Sequence, residues 1–131
     1  MSIVVGYVPK PEGRAALHHA INEARRRSTR LLVVNASHGD AYLDPGLASA
    51  QDLELIRSSL EQSGVEHDLR QQVRGKDPAD EVVELAEEVG AGLIVIGMRR
   101  RTPVGKLLLG STAQRILLDA PCPVLAVKAE A

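Results

Sequence analysis

The chain has no phenylalanine and no tryptophan; Tyr7 and Tyr42 are its two tyrosines. A core without large rings must be assembled from Leu, Ile, Val and Ala. A bound base would find no aromatic platform to stack on and would have to lie between aliphatic side chains. Cysteine is nearly absent as well. Cys122 stands alone, so no internal disulfide can form and nothing demands an oxidising compartment. Flanked by Pro121 and Pro123, it reads as a small buried hydrophobe. No apolar run approaches the roughly 18 residues that mark a membrane span. The opening stretch MSIVVGYVPKPEG has no basic region ahead of its apolar run and no cleavage site. The expectation is a cytoplasmic protein without a membrane partner. A formal net charge of −1 argues against a nucleic-acid partner.

One further absence is local. From Gly90 to Leu118 there is no Asp or Glu, yet Arg99, Arg100, Arg101, Lys106 and Arg115 fall there. Asp77 to Val89 is the reverse, with six acids and no base, and reads as a solvated helix face. The basic block is harder to set aside, because its charges crowd a glycine-bearing segment.

A length of 131 residues predicts one domain over 1–131, long enough to bury about two-thirds of its unfolded surface. Short apolar runs at Ile3–Val8, Leu31–Ala36, Leu93–Ile96 and Val124–Lys128 predict buried strands. Glu66–Val73 alternates polar with apolar and predicts a half-exposed strand at a sheet edge. Helices are expected over Glu12–Arg27, Leu47–Ser63, Pro78–Val89 and Ser111–Asp119. Asp77-Pro78 supplies an N-cap followed by proline at the first helical position. Asp40 to Gly46 reads as loop, with a turn at Asp44-Pro45-Gly46. Strand and helix alternate four times before a last strand. That order predicts an α/β fold, a doubly wound open parallel sheet with helices on both faces. Ligands of such sheets bind beyond the carboxyl ends of the strands, which singles out 8–13 and 97–110.

The second of these segments carries the features of an anion site. Ser111-Thr112-Ala113-Gln114 fits a capping box, and the first turn of that helix offers N–H groups and a positive dipole end. Gly97 would let the chain leave its strand steeply. Gly110 would remove a Cβ where a ligand could meet backbone. Ser111 and Thr112 can donate hydroxyl hydrogen bonds, while Arg99, Arg100 and Lys106 add charge. A Walker A loop does not fit, because Arg100 stands where glycine is required and Leu107 where Ser or Thr is required.

Gly97, two residues, position 100, nine residues and then Gly110-Ser111 resembles the nucleotide loop of the universal stress protein family. The closing AQRILLDAPCPVLAVK and the opening IVVGYVPKPEGRAAL are similar to that family's last and first elements. The resemblance covers essentially the whole chain. It implies five parallel strands in the order 3-2-1-4-5 with four helices, and ATP held between the first and fourth strand ends, with magnesium as its possible companion. Gly97, Gly110, Ser111 and Thr112 would then serve the phosphates, and Ala36 would lie near the adenine. Two positions depart from the pattern of nucleotide-binding members. Arg100 replaces a glycine, and Val8 replaces an aspartate used near the adenine and ribose. Pro9 and Lys10 likewise replace the usual Gly-Ser. The implied role is a stress-response sensor or regulator; members that bind no nucleotide supply the alternative, action through protein contacts.

No hydrolase constellation accompanies these features. His18, His19, His38 and His67 are scattered, and Asp40 and Asp44 read as turn residues rather than cation ligands. No general base is evident near 97–112, so at most slow ATP hydrolysis is expected. A phosphoreceiver domain would need acids where Val8 and Val73-Arg74 stand. The last strand, PVLAVK, is apolar on both faces, a liability at a sheet edge unless covered. A homodimer through Val124–Val127 is therefore expected, and the family resemblance points the same way.

Overall fold

The computed structural model describes residues 1–37, 47–73, 76–101 and 106–129. His38, the Asp40–Gly46 loop with its turn, and the possible ligands Asp40 and Asp44 lie outside them. Six strands and four helices follow one another: β1 (Ser2–Gly6), α1 (Pro11–Arg27), β2 (Arg30–Ser37), α2 (Ala50–Ser63), β3 (His67–Val73), α3 (Pro78–Val89), β4 (Leu93–Arg101), β5 (Lys106–Leu108), α4 (Ser111–Asp119) and β6 (Val124–Lys128). Five strands pair in parallel in the order β3-β2-β1-β4-β6. This is the expected 3-2-1-4-5 order with its four helices.

Alternation along the central strands splits the core into two layers. Ile3, Val5, Leu31, Val33, Leu93 and Val95 face α1 and α2, whose Ala16, Leu17, Ala20, Ile56 and Leu60 cover them. Val4, Leu32, Val34, Ile94 and Ile96 face α3 and α4, where Val82, Val83, Ala86, Ala113 and Ile116 close over them. Burial on both faces explains why these strands read as continuous apolar runs. Among the described residues β3 pairs with β2 alone, and its Leu69 packs on the first layer. Its Arg70 reaches Asp68 at 3.1 Å, as suits an edge strand dressed for water.

Three boundaries differ from expectation by more than one residue. β1 stops at Gly6, two residues short of Val8. Val8 already accepts a hydrogen bond from Lys10 N (2.8 Å), because the chain is turning into α1 ahead of Pro9 and Pro11. α2 starts at Ala50 rather than Leu47, since Ser49 and Asp52 form a reciprocal capping box that fixes its first turn.

The third difference concerns the segment between Gly97 and Gly110. β4 runs straight through Gly97 to Arg101, and β5 folds back on it antiparallel with Arg99 opposite Leu108 and Arg101 opposite Lys106. The reason lies in strand length. Pairing with β1 ends at Val95 and pairing with β6 at Met98, so residues 99–101 outrun both parallel neighbours and β5 supplies their ladder.

Candidate functional site

The strands β1, β2 and β4 end on the same side as the first turns of α1, α3 and α4. Between them lies a cavity of about 220 Å3. Its floor is aliphatic, made by Val34, Ala36, Val82, Ile96, Ala113 and Ile116. Its mouth carries Lys10, Glu12, Arg99, Ser111 and Thr112.

The three helix ends are not equivalent. α3 is already served: Asp77 accepts from Ala79 N at 2.8 Å. Arg115 holds Asp77 and Asp80, each at 3.2 Å. Arg115 therefore locks α4 to α3 and leaves the group of bases expected around the anion site. α4 is different. Gly110 is its N-cap, with φ −67° and ψ 165°, and no side chain caps it. The expected capping box does not form, because Ser111 is already the first helical residue. Gln114 instead donates to Leu109 O at 3.2 Å. Among the described residues, no protein group engages the Ser111 or Thr112 hydroxyl. The first turn of α4 thus presents N–H groups and two hydroxyls at the cavity.

Gly97 owes its identity to packing. A Cβ there would stand 2.3 Å from Glu12 O and 2.6 Å from Glu12 C, so only glycine lets the start of α1 lie against β4. The strand does not leave steeply at this point. Gly13 is equally constrained, because its Cβ would meet Val8 O at 1.8 Å. The two glycines press the first turn of α1 onto the ends of β1 and β4 and bring Lys10 and Glu12 into the site. Among the described residues, a Cβ at Gly110 would meet only the tip of Arg99, at 3.1 Å from Nη2.

Arg99 is half exposed and spans the mouth. Its Nε lies 3.9 Å from Glu12 Oε2, and its Nη2 reaches over Gly110. The Glu12 side chain is only 12% exposed. On the opposite face of the sheet Tyr7 is buried, and its phenol is held above the ordinary value of 10.0 by burial, then by the Asp52 carboxylate. The fully buried Asn35 ties the strand ends together. It donates to Tyr7 O at 2.9 Å and accepts from Ala48 N at 2.8 Å and Gln71 Nε2 at 2.9 Å.

Of the residues singled out in the sequence, Val8, Ala36, Gly97, Arg99, Gly110, Ser111 and Thr112 all line the cavity. Pro9 does not, although its neighbours Val8 and Lys10 do. The side chains of Arg100 and Lys106 lie outside the described residues; their backbones belong to the β4–β5 ribbon. Glu12, Gly13 and Asn35 were not singled out. An acid in a helix's first turn reads as a simple dipole complement, and Asn35 lies inside the apolar run Leu31–Ala36, which reads only as a buried strand. Among the described residues no group of three or more His, Cys, Asp or Glu could hold a metal ion.

The model of the universal stress protein family matches residues 1–128. The chain belongs to that family. A universal stress protein of Mycolicibacterium smegmatis is 52% identical over 126 residues, which is 96% of each chain. The solved universal stress protein of Archaeoglobus fulgidus superposes with a TM-score of 0.80 at 34% identity, covering 98% of both chains. A universal stress protein from the same organism, solved in complex with dAMP, gives a TM-score of 0.72 at 29% identity over 98% of both chains. Among the described residues of the present family member, no helix is long and apolar enough to cross a membrane.

Proposed function

We propose that this universal stress protein binds an adenine nucleotide in the cavity and works as a nucleotide-responsive sensor or regulator. The observation that carries the reading is the uncapped first turn of α4, with Ser111 and Thr112, opening onto an aliphatic slot at the carboxyl ends of β1 and β4. The slot suits a purine between Val8, Ala36 and Val82, in a protein that has no aromatic platform to offer. The α4 N-terminus, Arg99 and Lys10 suit phosphate. The dAMP complex of the 29% identical relative supports the same class of ligand. ATP belongs to this class, with magnesium accompanying its phosphates. Among the described residues no histidine lines the cavity, and the one carboxylate among them, Glu12, already faces Arg99. The reading is therefore of a binding module rather than a rapid hydrolase.

Titration calorimetry with ATP and AMP tests this. Ser111→Ala removes a hydroxyl donor, and Gly110→Val pushes Arg99 aside and crowds the cap. Each should weaken binding by about tenfold or more, a loss of about 1.4 kcal/mol. Unchanged affinity in both variants would place the ligand elsewhere.

A second reading, regulation by protein contact without nucleotide, rests on Leu117 and Leu118 of α4, which are 43% and 84% exposed, and on Val8 in the slot. It predicts that neither nucleotide binds the parent protein.

A further inference from the structure

The phosphate end of the cavity contains a charge that an anion site does not need. Glu12 sits in the first turn of α1 with its Cβ pressed against Gly97, and its side chain is only 12% exposed. Its one ion-pair partner among the described residues is Arg99, at 3.9 Å, beyond hydrogen-bond reach. The same guanidinium extends over Gly110, the N-cap of α4. One arginine head group therefore separates a nearly buried carboxylate from the N–H groups proposed to receive phosphate.

That arrangement has a sign. A single phosphate can take Arg99, the α4 N-terminus and the Ser111 and Thr112 hydroxyls. Each added phosphate brings further negative charge into a site where Glu12 is already poorly solvated. Like charges a few ångströms apart in such a poorly solvated setting repel strongly. A divalent cation reverses the effect, because magnesium is commonly held between one carboxylate and phosphate oxygens.

Building on the nucleotide reading, we infer that Glu12 sets the phosphate count of the ligand. It favours a nucleoside monophosphate over a metal-free triphosphate, and it admits the triphosphate as its magnesium complex. Arg99 is the counter-ion that a phosphate shares with Glu12.

The test is a competition series against a fluorescent adenosine monophosphate analogue, using AMP, ATP in EDTA and ATP with excess magnesium. The full chain and Glu12→Gln are compared. The glutamine is isosteric, and thermal unfolding checks that the fold is kept. In the parent protein, AMP should compete about tenfold better than metal-free ATP, and magnesium should restore ATP. In Glu12→Gln, metal-free ATP should gain about tenfold, AMP should change little, and the magnesium effect should shrink. If the substitution leaves the AMP-to-ATP ratio and the magnesium response unchanged, Glu12 is not the selector, although the nucleotide reading stands. If the parent binds neither the analogue nor its competitors, both the selector and the nucleotide reading fail.

Discussion

A methyl group at position 97 would overlap the backbone of Glu12, with 2.3 Å to its carbonyl oxygen. Backbone cannot swing away as a side chain can, so Gly97→Ala must push the first turn of α1 off β4. The expected cost is roughly 1–3 kcal/mol, in the range of overpacked cores. Denaturant unfolding measures it, and a change below a few tenths would mean that α1 shifts freely. Any nucleotide affinity should fall with it, since Lys10 and Glu12 move too. At this scale the sequence was only partly legible. Gly97, Gly110, Ser111 and Thr112 stand out by type and spacing. The reason Gly97 is glycine is invisible until α1 is seen folded back on it. Glu12 and Asn35 escaped notice for a similar reason: each acts on residues distant in sequence, such as Arg99 and Gln71.

At the level of elements, the four helices and five parallel strands follow directly from short apolar runs, one alternating run, prolines and glycine stops. Pro78 and Gly90 mark the ends of α3 as expected. The β4–β5 ribbon was not legible. Arg99-Arg100-Arg101 has no apolar alternation, and its pairing is dictated by neighbours that end too early. The start of α4 was misread in a useful way. A capping box would have used up the Ser111 hydroxyl; with Gly110 as N-cap it is left for a ligand. The role of Arg115 follows from the same geometry. Because Arg115 bridges α4 to Asp77 and Asp80 while about half exposed, Arg115→Ala should cost no more than about 1 kcal/mol of stability. It should leave nucleotide affinity within about twofold. A tenfold loss of affinity in a calorimetric titration would return Arg115 to the anion site.

For the whole molecule, the two sheet edges differ. β3 is polar and charged on its outer side, whereas β6 keeps Leu125 36% exposed, and Leu117 and Leu118 of α4 are exposed on the other face of the sheet. We propose that a second copy covers this edge through two-fold antiparallel pairing of β6. Pro123 O accepts from Ile94 N at 3.0 Å, and Ala129 N donates to Met98 O at 3.1 Å, so odd-numbered residues of β6 face β4. By alternation the N–H of Ala126 points outward. Ala126→Pro should therefore spare the internal ladder and remove a donor from the pairing edge. Light scattering should give twice the 14.0 kDa chain mass for the parent and the single mass for the variant. A parent of single mass ends the dimer proposal, and a variant that stays dimeric moves the interface to another surface.

The central claim is that an adenine nucleotide occupies the slot between the ends of β1 and β4 with its phosphate on α4. Backbone amide resonances followed during an AMP titration test it most directly, because they locate the ligand as well as detect it. The account predicts saturable shifts, largest at Gly97 and Ser111–Ala113, with smaller ones at Val8 and Ala36. No shift at millimolar AMP would contradict it, as would shifts centred on the outer face of α1 and α2 around Arg14, His18 and Ser59.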